Sequence, residues 1–191
     1  ERIKMAVFID QSFEGVGKAI QLRKGEYESC TFSDCVFTSE KLSHFVFSEC
    51  IFERCEISSV VVENTSFKEV TFNDCKMLGI QFENTNPFLF EVEFNDCQLN
   101  LSSFYKVNLK QTNFINCNLK EVDFTEANLN EAKFIECDLS LAVFDLTNLS
   151  KADLSSAHNF QIDPTNNNVK KAKFSAEGAL GLLTSFDVLI C

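Results

Sequence analysis

The chain has 191 residues, 45% of them hydrophobic, with nine cysteines and a formal net charge of −11 at pH 7. The length suffices for one domain, and the acidic balance argues against nucleic-acid binding because phosphates would repel the chain. No run reaches the roughly 18 apolar residues of a membrane span, and no charged-then-apolar leader precedes the domain. These features predict a cytoplasmic protein that contacts neither membrane nor nucleic acid, with cysteines that remain free thiols.

Residues 1–21 precede the regular part of the sequence. Phe8 and Phe13 are five residues apart, but they are out of phase with the apolar residues that follow. A repetitive fold needs an atypical end segment, because an open end exposes core and unpaired backbone. We therefore predict an N-terminal cap over residues 1–21.

From Leu22 onwards, every fifth residue is apolar in two separate series. The first series is Leu22, Tyr27, Phe32, Phe37, Leu42, Phe47, Phe52, Ile57, Val62, Phe67, Phe72, Met77 and Phe82. The second series, in which Phe and Leu nearly alternate, is Phe94, Leu99, Phe104, Leu109, Phe114, Leu119, Phe124, Leu129, Phe134, Leu139, Phe144, Leu149 and Leu154. The regularity predicts one repetitive architecture over residues 22–157.

A period of five defines no single face on an α-helix and alternates between the two sides of a flat strand. It fits a chain that turns a corner every five residues, so that four sides form a coil of 20 residues. The cysteines support this geometry independently, since Cys97, Cys117 and Cys137 are 20 residues apart. We predict an all-β, four-sided coil, with Phe on two opposite walls of its second half and Leu on the other two.

A register break at residues 83–93 separates the two series. Pro87 within it cannot donate a ladder hydrogen bond, and the neighbouring asparagines tolerate turn conformations. Two interpretations remain open. The break is either a bulge that joins two stacks of coils or a protruding loop that contacts a partner through Asn84, Asn86, Pro87 and Phe88.

Residues 158–191 form the C-terminal part, in which Ser175 is suited to cap a short helix. The apolar residues of this part are Leu180, Leu182, Leu183, Phe186, Val188 and Ile190. They either close the end of the coils or close it and also bind a second copy of the chain. We favour the second alternative, a homodimer.

The sequence offers little catalytic chemistry. His44 falls at an outward corner and His158 beyond the last predicted coil, and the common hydrolase, metalloprotease and dinucleotide motifs are missing. The cysteine columns point into a packed interior without histidine partners, so they fit small buried residues better than metal ligands. We predict no enzyme activity, no cofactor and no metal.

The negative charge is concentrated on the coils, since residues 26–153 carry 22 acidic and 9 basic side chains. Over roughly 31 Å of stacked coils this is about one net charge per 2.4 Å, against about one per 1.7 Å in duplex DNA. Such a rod could occupy a surface built to hold DNA. Its acidity could also serve solubility alone.

Units such as Ala127–Glu131 and Ala152–Ser156 resemble the pentapeptide repeat family, and the similarity covers roughly residues 20–157. The family implies a right-handed quadrilateral β-helix, a handedness that the five-residue period does not itself supply.

The opening at Phe8–Gly15, the break at Asn86–Phe88 and the tail at Ile162–Pro164 resemble the Qnr and McbG group of that family. This resemblance implies a homodimeric DNA mimic that protects type II topoisomerases from inhibitors. The chain lacks the long loop insertions of the best-known Qnr proteins.

The sequence therefore predicts a non-enzymatic protein that binds DNA gyrase or topoisomerase IV and protects it from quinolone-like or toxin inhibitors. The alternative is a generic interaction scaffold for an unrelated cytosolic partner. Acidic residues near the break and in the second series are the expected contacts: Glu91, Glu93, Asp96, Glu121, Asp123, Glu126 and Glu136.

Overall fold

A computed structural model describes residues 5–16, 21–37, 42–186 and 188–189. In these ranges the chain is an all-β parallel solenoid with short strands and a few 3₁₀ segments. The strands are β1 (Ala6–Ile9), β2 (Ser12–Glu14), β3 (Gly25–Glu28), β4 (Thr31–Ser33), β5 (Val46–Ser48), β6 (Ile51–Glu53), β7 (Ser66–Lys68), β8 (Val70–Asn73), β9 (Val92–Asn95), β10 (Asn113–Ile115), β11 (Lys133–Ile135), β12 (Asp153–Leu154) and β13 (Lys173–Phe174).

Each strand pairs in parallel with a strand one coil away, so that residues about 20 apart lie side by side. Phe114 of β10 lies opposite Phe134 of β11, for example. One sheet has the order β1-β3-β5-β7, and a second contains the other nine strands. Isolated parallel bridges form the remaining walls, such as those between Asn118 and Asp138 and between Asp123 and Val143.

We number the four walls in chain order. Face 1 contains the four-stranded sheet and, in the second half of the chain, the bridged residues Asn108, Asn128 and Asn148. Face 2 contains the nine-stranded sheet. Face 3 contains the bridges from Val36 to His158, and face 4 those from Gln81 to Val143. Faces 2 and 4 are therefore opposite walls of the solenoid.

The corners between walls are set by the backbone. At every fifth residue from Asp96 to Lys151, φ is positive and lies between 50° and 62°. A positive φ is uncommon for residues other than glycine, so this repetition marks a turn of the chain at each of these positions. The five-residue sides and four-sided coils predicted from the sequence are confirmed.

Phenylalanine rings fill two walls of the second half. On face 2, the Phe114 ring stacks between those of Phe94 and Phe134, at centroid distances of 5.3 and 5.0 Å. On face 4, the Phe124 ring stacks at 5.5 Å on Phe104 and 5.3 Å on Phe144. These columns confirm that like residues stack on like.

Leucines fill the other two walls. Leu119 and Leu139 are fully buried, and the bridge between Asn118 and Asp138 places them above one another on face 3. Face 1 carries Leu109, Leu129 and Leu149, also fully buried.

Small side chains close each wall near its corner, and many of them donate to a carbonyl of the preceding coil. The Cys117 thiol donates to the Phe94 carbonyl oxygen at 3.4 Å, and the Thr147 hydroxyl donates to the Phe124 carbonyl oxygen at 2.8 Å. Thiol and hydroxyl are interchangeable here because both are small donors. All eight cysteines in the described ranges are buried free thiols, and Cys191 lies outside those ranges.

The ladders extend beyond both ends of residues 22–157. At the N-terminus, Phe8 stacks on Tyr27 at 4.6 Å, and the strands there pair with an offset of 19 residues. This short first coil explains why Phe8 and Phe13 are out of phase in the sequence. At the other end, β13 extends face 2, and His158 pairs with Asp138 on face 3 instead of lying beyond the coils.

The C-terminal segment consists of two short 3₁₀ helices, Gly178–Leu182 and Thr184–Phe186. The Ser175 hydroxyl accepts the Gly178 N–H at 2.9 Å, as a capping side chain does. Within the described ranges, no helix has the length and apolar character needed to cross a membrane.

Candidate functional site

The predicted contact acids of the second series divide between opposite walls. Glu93, Asp96 and Glu136 belong to face 2 and its edge with face 3, and we call them the face 2 acids. Glu121, Asp123 and Glu126 follow one another along face 4 in a single coil, and we call them the acidic row. All six are exposed except Asp123, which is half-buried. The structure thus brings Glu121, Asp123 and Glu126 together in one coil, whereas Glu136 lies two coils after Glu93 and Asp96 on the opposite wall.

Two of the three acids in the acidic row have a lysine neighbour. Lys106 Nζ lies 3.4 Å from Glu126 Oε2 and 4.8 Å from the centre of the Tyr105 ring. The Tyr105 hydroxyl donates to Glu126 Oε1 at 3.2 Å, and Lys120 lies 3.7 Å from Glu121. Interactions with Tyr105 and Glu126 raise the pKa of Lys106. Because exposed ion pairs of this kind are weak in water, the carboxylates remain available to a partner.

The face 2 acids lie in a more mixed environment. Asn113 donates to Glu93 at 2.9 Å, and Asn116 donates to Asp96 at 2.6 Å. The same wall carries Lys133 and Lys173. Lys173 forms an ion pair with Asp153 at 3.0 Å, and hydrogen bonds from Ser155 and then Lys173 lower the pKa of Asp153.

Lysines of the second half are concentrated on faces 1 and 2 and on the corner between them. Six of the eight lie there: Lys110, Lys133, Lys151, Lys170, Lys171 and Lys173. The other two, Lys106 and Lys120, pair with the acidic row. Face 4 instead adds Asp145 to the acidic row. In this half, face 4 and its corners thus carry four acids and one lysine, Lys106, and they are more negative than face 2, a distinction that total charge does not reveal.

The register break forms a compact bulge with an exposed tip. The Asn86 N–H donates to the Thr65 carbonyl and the Glu91 N–H to the Phe67 carbonyl, both at 2.9 Å, so the chain between these bonds is longer than in the preceding coil. The net insertion is two residues, since Thr71 pairs with Glu93. Phe88 is 72% and Leu89 49% exposed, whereas Phe90 is buried. Asn84 and Pro87 are also exposed, while Asn86 is half-buried. These features describe a short bulge whose tip is accessible, and its contact with a partner stays a prediction.

Two recesses flank the bulge. Exposed Glu91 lines a groove of about 420 Å³ together with Glu69, Glu93 and Lys110. A second recess, of about 380 Å³, is lined by Pro87 and Phe90 on one side and by Tyr105 and Lys106 on the other. This second recess extends from the bulge to Tyr105 and Lys106, which contact Glu126 of the acidic row.

Comparison with known proteins identifies the architecture. The profile of the pentapeptide repeat region matches residues 87–161, which include most of the acids described above. This segment is less than half of the chain, so the match identifies a pentapeptide repeat region within it. The same five-residue sides continue outside the matched segment, from β3 to the bulge. No curated protein sequence matches the chain.

Solved structures share the fold along nearly the whole chain. A trypsin-treated variant of QnrB1, a plasmid-mediated fluoroquinolone resistance protein, has a TM-score of 0.65 at 16% identity, covering 97% of this chain and 100% of that one. A second trypsin-treated QnrB1 variant gives 0.64 at 19%, covering 95% and 99%. HetL, involved in heterocyst differentiation regulation in the cyanobacterium Nostoc sp., gives 0.52 at 15%, covering 91% and 84%. At these identities the likeness establishes the fold alone.

The C-terminal segment closes the solenoid and leaves apolar side chains outside. Leu182 packs against the core, and the Ile162 N–H donates to the Gly181 carbonyl at 3.1 Å. The side chains that remain 39% to 48% exposed are Leu180, Leu183, Phe186 and Val188. Ile190 lies outside the described residues. The predicted homodimer interface thus has accessible apolar residues, and the dimer stays a prediction.

One feature of face 4 was missed at the sequence level. Leu101, Leu141 and Leu146 occupy corner positions and are more than 60% exposed. The sequence contains a signal that could have revealed these exposed leucines. Each of them stands two positions after a buried Phe or Leu of the repeat, where the second series mostly has polar residues.

Proposed function

We propose that this protein is a non-enzymatic DNA mimic that binds a type II topoisomerase, DNA gyrase or topoisomerase IV, in the cytoplasm and protects it from quinolone-like or toxin inhibitors. The observation that carries the proposal is the acidic row on a long, uniform rod. Nine strands spaced by about 4.8 Å extend face 2 over roughly 38 Å, the length of about one turn of duplex DNA. The shared fold with QnrB1 supports the proposal without carrying it.

Electrostatics favour face 4 as the wall that replaces DNA. A DNA-binding surface presents Lys and Arg side chains at the positions of phosphates. The acidic row and Asp145 supply carboxylates for such side chains, whereas lysines on the far edge of face 2 would be repelled. The rod therefore has a preferred orientation on a basic surface.

A supercoiling assay tests the function directly. DNA gyrase is incubated with DNA, ATP and a fluoroquinolone, with and without the protein. Protection predicts that supercoiling persists at drug concentrations that otherwise stop it. If the protein neither protects gyrase or topoisomerase IV nor binds them, the alternative of a scaffold for another partner is favoured.

Charge reversal tests the mimicry. The triple variant Glu121→Lys, Asp123→Lys, Glu126→Lys should abolish gyrase binding while the circular dichroism spectrum and Tm remain close to wild type. The matched control carries the same three charge changes on the face 2 acids, as Glu93→Lys, Asp96→Lys, Glu136→Lys, and should bind more tightly than the first variant. Undiminished binding by both variants would refute DNA mimicry.

The dimer is tested by light scattering after size-exclusion chromatography. We expect the mass of two chains for the wild type and of one chain for Leu183→Asp, Phe186→Asp, because two charges would enter an apolar interface. A wild-type protein that remains monomeric at high micromolar concentration would contradict the dimer.

A further inference from the structure

Exposed aliphatic residues flank the acidic row on face 4. Leu101 and Leu141 occupy the same corner as Glu121, one coil before and one coil after it. Val143 pairs with Asp123, and the remaining leucine, Leu146, lies one coil after Glu126. Their exposed fractions are 62% for Leu101, 68% for Leu141, 48% for Val143 and 61% for Leu146. Exposed apolar residues therefore lie in the coils on both sides of the acidic row, beside Lys106 in the coil before it and Asp145 in the coil after it.

The three leucines are unfavourable for the fold itself. Their φ values are 62° for Leu101, 58° for Leu141 and 52° for Leu146, in the left-handed region that asparagine and glycine adopt at lower cost than leucine. Asn116, at an equivalent corner, shows that the solenoid accepts asparagine there. More than half of each leucine side chain is in water, so burial offsets little of this cost.

We infer that face 4 between Leu101 and Leu146 is a docking surface for a protein segment that presents Lys or Arg side chains flanked by apolar groups. The acidic row supplies the charge complementarity, and the leucines and Val143 supply apolar contacts on either side of it. A second copy of the chain fits poorly, because pairing face 4 with itself would place the two acidic rows against each other.

This inference rests on the proposed function and specifies how the topoisomerase is held. Phosphodiester backbones offer no counterpart to exposed leucines, so the protein copies the charge of DNA and adds contacts that DNA lacks. Salt weakens the ionic part of such an interface and leaves the apolar part largely intact.

The double variant Leu141→Asn, Leu146→Asn tests the inference, because it changes no charge. We expect its Tm to rise, since asparagine suits a positive φ, while its affinity for DNA gyrase falls by about tenfold or more in a binding titration. The matched control is Ile115→Thr, Ile135→Thr, which removes exposed aliphatic groups from face 2 and should leave the affinity unchanged. Opposite signs for stability and affinity are not expected of residues with a purely structural role.

The outcomes separate the two proposals. If wild-type protein binds gyrase and the leucine variant binds equally well, the docking surface is refuted and DNA mimicry remains. Equal losses in the leucine variant and the face 2 control would also overturn the inference, because the effect would not be specific to face 4. If wild-type protein binds neither topoisomerase, both proposals fail together.

Discussion

Replacing Phe114 by alanine probes the stacked core that supports every surface described above. The Phe114 side chain is fully buried, with its ring between those of Phe94 and Phe134. Two further rings, Phe104 and Phe124, meet it edge-on at 6.0 and 6.1 Å. Phe→Ala in a packed core costs about 3–5 kcal/mol, and a site with four ring neighbours and no route to collapse belongs at about 4–5 kcal/mol.

Phe144 provides an internal comparison at the edge of the same core. It is 8% exposed and has one ring neighbour among the described residues, Phe124 at 5.3 Å. We expect Phe144→Ala to cost about 3 kcal/mol, at the lower end of the range. Urea unfolding followed by far-UV circular dichroism measures both, and Phe114→Leu should recover most of the loss because it restores volume. Equal losses for Phe114→Ala and Phe144→Ala, or a loss near 1 kcal/mol for Phe114→Ala, would refute this account of the core.

Three further predictions concern the thiols and the first coil. In the Cys191→Ser variant, the eight remaining cysteines are all buried, so Ellman's reagent at pH 8 should detect no thiol in the folded protein and eight thiols after unfolding in urea. One reactive thiol in the folded state would contradict this prediction. Burial raises the pKa of Cys35 to about 12 and that of Cys50 to about 11, from 9.0. Because the folded protein holds these two thiols in the neutral form, their contribution to the free energy of unfolding is complete below pH 9 and is lost as the pH rises through 11 to 12. The urea midpoint should therefore fall above pH 9, and a midpoint that rises between pH 9 and pH 11 would reverse the sign of this argument. Gly25→Ala should detach β1, because a Cβ at this buried glycine would overlap the Ala6 carbonyl oxygen. We expect faster hydrogen exchange in residues 6–14 and unchanged exchange around Phe114, whereas protection equal to wild type in β1 would show that the coil adjusts.

The repeat could be predicted from the sequence because each five-residue unit places one large side chain inward regardless of its neighbours. The Phe and Leu columns follow from this rule, and Leu119 lies above Leu139 as expected. The rule fails where coil length changes. The first coil has an offset of 19 residues, and at the break Thr71 pairs with Glu93, 22 residues later. A local period cannot indicate where such residues are removed or added, because the outcome depends on contacts between coils.

The candidate site could be predicted only in part, for a different reason. The number of acidic residues gives the net charge, but the wall on which each acidic side chain lies depends on its position within the coil. Asp96 and Glu136 are two coils apart and share one corner, whereas Glu121 and Glu126 bracket a different wall. The 20-residue spacing is enough to assign these acids to face 2 or face 4. Ion pairs such as that between Lys106 and Glu126 cannot be predicted from the spacing, because they depend on side-chain positions in the structure.

The solenoid also separates the demands of folding from those of binding. Each coil contacts only its neighbours, and the buried columns are filled by side chains that never reach the surface. An exposed corner residue therefore affects stability mainly through its own preference for a positive φ, as the contrast between Asn116 and Leu141 illustrates. Asparagine at every corner would suit the backbone better than the side chains observed on face 4. Corners of the other walls also hold residues other than asparagine, such as Gln111, Glu131 and Lys151, but these are polar. In the second series, corner leucines exposed beside carboxylates occur on face 4 alone, and this composition is the one expected of a binding site.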